Sequence, residues 1–137
     1  MLLTDTNILH RISRGRAMER VKRMRKIGIR LATTDRNAFE LHRNLVRDLH
    51  FSDQDAREEA DRVLAPFEIV AAQDYEHLRG VADSRLREGG KSDWPALAAA
   101  IAFDAEIWSD DVDFFGVGVP VWSTQNVHSY NGNAHGG

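Results

Sequence analysis

Four acidic residues, Asp5, Glu40, Asp93 and Asp111, carry the chemistry for which this chain is best equipped. Asp5 ends the apolar run Leu2-Leu3-Thr4. Asp111 follows Glu106-Ile107-Trp108, just past Ser109. Asp93 opens the Ala-rich stretch that runs to Phe103, and Glu40 lies about two turns into a helical pattern that begins at Asp35. Alone, each reads as a cap, a turn residue or a solvated helix residue. Gathered in one place they would repel: two carboxylates ~5 Å apart cost roughly 3 kcal/mol at an effective dielectric of ~20. A hard divalent cation with oxygen ligands, Mg²⁺ or Mn²⁺, relieves that repulsion. Such an ion activates a water and stabilises the charge that develops on a phosphodiester, so hydrolysis of that linkage is the chemistry implied.

Other polar residues rank around these four. Asn37, Glu40 and Asn44 share one stripe of their helix at i, i+3 and i+7, turned away from the apolar stripe Ala38, Leu41, Leu45 and Leu49. Asn7 either holds the Asp5 carboxylate or stabilises the turn after it. Lys91 and Arg85 could meet a phosphate near Asp93, or simply be exposed. The six histidines show no pairing at metal-ligand spacing, which argues against zinc. Trp94, Trp108 and Trp122 read as core. Gly116-Val117-Gly118 is too short for a phosphate loop and reads as a turn.

The elements that must position these groups alternate. Short apolar segments near 2–4, 29–33, 67–70, 106–108 and 119–122 read as strands. Helical patterns fall near 16–26, from Asp35 to about Leu49, from Ser52 to about Leu64, from Asp74 to about Glu88, and from Ser92 to about Phe103. Ser52-Asp53-Gln54-Asp55 is a capping pattern, Ser92 can cap the last helix, and Pro95 is tolerated in its first turn. That last helix is apolar nearly all round and should be buried. Strands alternating with helices imply parallel βαβ units in an α/β three-layer fold, with functional groups at the carboxyl ends of the strands.

The 137 residues fit one domain, expected over 1–127, with a polar, glycine-rich tail expected to be disordered over 128–137. There are no cysteines, which removes disulfides and thiolate metal sites and suits a reducing compartment. No apolar run approaches a membrane span and no signal-peptide pattern opens the chain, so a cytoplasmic location without membrane contact is expected. The net charge is only −3, but it is unevenly spread. Nine of the 18 Lys and Arg residues lie between Arg11 and Arg30, whereas Ser92 to Asp113 holds six acids and no base. An acidic pocket beside a basic surface suits a metal-dependent enzyme acting on a polyanion, although a solvated basic helix face would give the same count.

Four stretches resemble the motifs of the PIN-domain ribonucleases, especially the small bacterial toxins of type II toxin–antitoxin modules (VapC-like). Leu3-Thr4-Asp5-Thr6-Asn7-Ile8-Leu9 is similar to the first motif and Thr33-Thr34-Asp35-Arg36-Asn37-Ala38-Phe39-Glu40-Leu41 to the second. Ser92-Asp93-Trp94-Pro95-Ala96-Leu97 resembles the third, and Trp108-Ser109-Asp110-Asp111-Val112-Asp113-Phe114 the fourth, with Ser in place of Thr. The resemblance runs through almost the whole chain. It implies a PIN-like parallel five-stranded sheet flanked by helices, a Mg²⁺ or Mn²⁺ site and an RNA substrate cut endonucleolytically. By motif match, Asp5, Glu40, Asp93 and Asp111 would be catalytic acids, and Asp5, Asp93, Asp111 and Asp113 metal ligands. Ser109 and Asn7 would support them. Arg11, Arg14, Arg16 and Lys91 would meet RNA, with the rest of the 11–30 basic segment behind them. A small antitoxin and a homodimer are the implied partners. Among Asp110, Asp111 and Asp113, Asp111 fits the register best. The alternatives are a catalytically inactive PIN fold that binds RNA or protein, and a receiver-like signalling domain. The second lacks its acid after Ile69-Val70 and its late lysine.

Overall fold

The computed structural model describes residues 1–131. Five strands, β1 (Leu2–Thr4), β2 (Leu31–Thr34), β3 (Glu68–Val70), β4 (Glu106–Trp108) and β5 (Val121–Trp122), form one sheet in the order β3-β2-β1-β4-β5. Every neighbouring pair is parallel. The three-layer α/β expectation holds. The chain leaves β1 in one direction for β2 and later returns to the other side of β1 as β4. The carboxyl ends of β1 and β4 therefore face the crevice where strand order reverses.

Among the described residues, six α-helices cover the two faces: α1 (Thr6–Ser13), α2 (Met18–Lys26), α3 (Asp35–Arg47), α4 (Asp53–Leu64), α5 (Arg79–Arg85) and α6 (Trp94–Ala102). Alternation along the strands separates two cores. Leu2, Leu31 and Trp108 point to one face and pack with Ile8, Leu9 and Ile12 of α1, Val21 and Met24 of α2, Leu41 and Leu45 of α3, and Ala56, Ala60 and Val63 of α4. Leu3, Ala32 and Ile107 point to the other and meet Ala82 of α5 and the alanines of α6. Seven of the nine residues of α6 are buried, and the small alanine side chains let it lie close beneath the strands.

Several boundaries differ from the sequence reading. Helix α1 was not expected: Thr6 and Asn7 are weak helix formers, but Asp5 caps them and Ile8, Leu9 and Ile12 supply a buried stripe. The helix expected over 74–88 is broken into 3₁₀ turns at Ala72–Asp74 and Glu76–Leu78 before α5. Asp35 explains the break. Its carboxylate accepts from the Ala72 N–H at 2.9 Å and the Tyr75 hydroxyl at 2.5 Å, which pins that segment to the start of α3. Ser92 does not cap α6: Asp93 occupies the cap position, at the end of a 3₁₀ stretch from Glu88. Ser52 caps α4 as expected, accepting from the Asp55 N–H at 3.0 Å. The segment expected to be a tail from 128 is packed as far as Tyr130. Val127–Ser129 form a 3₁₀ turn, and buried Tyr130 tilts against Trp122 and meets Met1. The rest of that tail, 132–137, lies outside the described residues.

Candidate metal centre

Asp5 is the residue after β1, and it is also the N-cap of α1. Strand and helix share this corner because the Asp5 N–H donates to the Trp108 carbonyl of β4 at 3.1 Å while the Asp5 Oδ1 accepts from the Thr6 N–H at 2.8 Å. Its other oxygen accepts from the Ser109 hydroxyl at 3.0 Å. Ser109 is buried, and its Oγ also accepts from the Asp111 N–H at 3.0 Å. One hydroxyl thus fixes the Asp5 carboxylate and the backbone of Asp111 together. The Asp111 Oδ1 then accepts from the Asp113 N–H at 2.9 Å and starts a 3₁₀ turn.

Asp93 reaches the same place from below, at the head of α6. One carboxylate oxygen from each of Asp5, Asp93 and Asp111 lies within 4.8 Å of the other two. Among the described residues none of the three has a salt-bridge partner. Burial pushes the Asp5 carboxyl up to about 6, against the lowering effect of the Ser109 and Thr6 hydrogen bonds; Asp111 and Glu40 add to the rise. Asp93 is pushed up to about 8, by burial first and then by the charges of Asp5 and Asp111; it also shares a hydrogen bond with Asp111 that only its protonated form can donate. Three hard oxygen donors that converge with no salt-bridge partner among the described residues fit a divalent cation. The donor set contains no nitrogen or sulfur, so it does not suit a soft metal.

Glu40 is not one of the converging three. It stands beside them on α3, close enough for its charge to raise Asp5. The stripe it was expected to share divides by task. Asn37 is buried and completes the helix cap with Thr34, its N–H donating to the Thr34 Oγ1 at 3.0 Å. Asn44 approaches His10 Nε2 at 3.2 Å. Asn7 is exposed on the first turn of α1, and the Asp5 oxygens are held by Thr6 and Ser109 instead.

The three crowded acids after β4 have separate places. Asp110 turns the other way: its carboxylate accepts from the N–H and the hydroxyl of Thr124, both at 2.7 Å, and pairs with Arg11 at 3.4 Å. Asp113 pairs with Arg87 at 2.6 Å and lies outside the converging three, although its charge is felt at Asp93. Asp113 also packs onto Gly90, where an added Cβ would come within 2.7 Å of the Asp113 Cβ.

The basic residues divide as well. Arg11, with 46% of its side chain exposed, pairs with Asp110, the residue before Asp111. Arg14 and Arg16 are exposed at the far end of α1. Lys91 is engaged within the fold: its ammonium donates to the carbonyls of Asp83 at 2.8 Å and Leu86 at 3.4 Å, closing the end of α5. The later part of the 11–30 segment is on the wrong side for the acids. The Arg30 carbonyl accepts from the Leu2 N–H at 2.9 Å, so Arg30 and the last turn of α2 lie at the amino ends of the strands. The strand direction thus puts the second half of this segment at the opposite end of the sheet from the acids.

Sequence reasoning passed over the groups that line the other side of Glu40. Arg36 and Arg79 stack their guanidinium groups over Trp94, at 5.1 and 4.7 Å from its ring centre. Arg36, Phe39 or Glu40, and Arg43 recur at helical spacing, a signal that was present but was read only for its acid.

A family model described as PIN domain matches residues 3–132. No curated protein and no solved structure matches the chain.

Proposed function

We propose, from the premise that this chain belongs to the PIN-domain family, that it is a metal-dependent endoribonuclease. The observation that carries the reading is the convergence of Asp5, Asp93 and Asp111, none of which has a salt-bridge partner among the described residues. Those three carboxylates would hold the ion. When bound, a Mg²⁺ or Mn²⁺ ion would neutralise the acids, polarise the phosphodiester and lower the pKa of an attacking water. The protein's own part is positional. Thr6 and Ser109 orient the Asp5 carboxylate, and the Ser109 hydroxyl sets the Asp111 backbone in step with it. Glu40, with no salt-bridge partner among the described residues, would orient the water through a carboxylate oxygen. Arg11 at one rim and the arginines of α3 at the other would hold RNA phosphates.

The finer reading is the toxin of a type II pair, supported by the likeness of its four motifs to that group. A small antitoxin would then cover the acids, and an arginine entering the cluster would be its natural counter-charge. A homodimer and a cytoplasmic location belong to the same reading. No helix among the described residues is long and apolar enough to cross a membrane.

The test is cleavage of RNA with Mn²⁺ or Mg²⁺ by the full chain, beside Asp5→Asn and Asp93→Asn. Loss of cleavage in both variants and in EDTA supports the reading, and undiminished cleavage in both sinks it. Copurification of a small partner, released by the same two substitutions, tests the toxin assignment.

A further inference from the structure

Beside the acids, with Glu40 in its wall, lies a cleft of about 530 Å³. Its walls come from two elements. Arg36, Phe39, Glu40 and Arg43 of α3 form one side, and Ser92 and Trp94 at the head of α6 form the other. Phe39 is 66% exposed, a large apolar cost for a residue on a helix whose inward stripe is already complete with Leu41 and Leu45. Arg36 and Arg43 flank it at i−3 and i+4, on the same face. Arg43 makes no hydrogen bond or salt bridge among the described residues, and Arg36 is held only by an exposed contact with Glu76 at 3.6 Å and by its stack on Trp94. An exposed aromatic ring between two cationic groups, in a cleft of nucleotide size, has the composition of a site for an unpaired base and its phosphates.

We propose that this cleft binds one unpaired nucleotide of an RNA strand, with its base on the Phe39 ring and its phosphates between Arg36 and Arg43. The proposal rests on the nuclease reading for its geometry, since Glu40 lines the cleft and its charge is felt at Asp5, and it assigns the place of one base and its phosphates to named residues of this chain. A base held in a duplex has no face to offer Phe39, so a paired strand cannot enter in the same way. The choice of nucleic acid over a protein segment follows from the guanidinium groups. An apolar peptide would bury Arg43 without a partner, at a cost that a phosphate removes.

The experiment reads binding first, so that it does not depend on catalysis. Fluorescence anisotropy of a labelled unpaired oligoribonucleotide is measured in EDTA with the full chain, with Phe39→Ala, Phe39→Trp and Arg43→Gln, and again with the same strand annealed to its complement. Phe39→Ala should weaken binding of the single strand about 10-fold or more, the effect expected of one lost stack, and Phe39→Trp should restore it. Arg43→Gln should weaken binding and lower its salt dependence. The duplex should bind more weakly than the single strand, and Phe39→Ala should leave duplex affinity unchanged. Equal affinity of Phe39→Ala and the parent for the single strand overturns the proposal, as does absence of single-strand binding. A change of oligomeric state in Phe39→Ala with unaltered RNA affinity also overturns it, and assigns Phe39 to a protein interface. RNA cleavage that persists in Phe39→Ala with unchanged KM defeats this inference alone. Loss of single-strand cleavage in Asp5→Asn, with the binding pattern intact, keeps the two readings separate.

Discussion

Replacing Asp5 by Asn should make the metal-free protein more stable at neutral pH while removing its metal site. Asp5 is only 4% exposed, and burial raises its carboxyl from 3.8 to about 6. The unfolded chain ionises it near the ordinary value. The folded state therefore holds the proton more tightly, so this group's contribution is full below pH ~4 and is lost as pH rises through 6. About two units of difference correspond to roughly 3 kcal/mol at pH 7.5. Asn mimics the neutral acid: its Oδ1 can accept from the Thr6 N–H and its Nδ2 can donate to the Ser109 Oγ. That reversal leaves the buried Ser109 hydroxyl, which also accepts from the Asp111 N–H, without an acceptor, at about 1 kcal/mol. The net gain is about 2 kcal/mol. At ~2.1 cal/mol/K per residue of unfolding entropy this raises Tm by roughly 7 °C. The assay is thermal unfolding in EDTA at pH 7.5 and at pH 4, where the gain should give way to the loss of about 1 kcal/mol at Ser109. A destabilised variant at pH 7.5, or an equal shift at both pH values, would refute the account of Asp5 as a strained, uncompensated acid.

Other outcomes follow from the same geometry. Mn²⁺ should raise the Tm of the parent protein and not that of Asp93→Asn. Its affinity, read by titration calorimetry, should climb between pH 6 and 8, because the ion must displace protons from Asp5 and from Asp93, which is held up to about 8. Asp110→Ala should cost about 2 kcal/mol in denaturant unfolding, since it removes an acceptor for two Thr124 donors, yet leave Mn²⁺ affinity near that of the parent. Gly90→Ala should push Asp113 aside; we expect a loss of about 1–3 kcal/mol and weaker Mn²⁺ binding, checked by unfolding and calorimetry together.

Much of this protein was written locally and could be read locally. The five-stranded α/β order followed from apolar runs alternating with helical periods, and Ser52 announced α4 through a bond three residues long. The placement of Asp5 and Asp111 near strand ends was legible for the same reason: each adjoins an apolar run whose direction parallel pairing imposes. Three things needed the folded chain. Whether Asp110, Asp111 or Asp113 joins Asp5 depended on Thr124 and Arg87, partners 14 and 26 residues away from the acids they hold. The 74–88 helix broke because Asp35, some 40 residues earlier, claims the Ala72 N–H and the Tyr75 hydroxyl. The basic segment looked continuous along the chain, but β1 and β2 run parallel, so its second half and the acids occupy opposite ends of the sheet. Residue types and their local periods determined which chemistry was on offer. Only tertiary structure decided which charges meet, because repulsion and hydrogen bonding act over a few ångströms of space, whatever the separation in sequence.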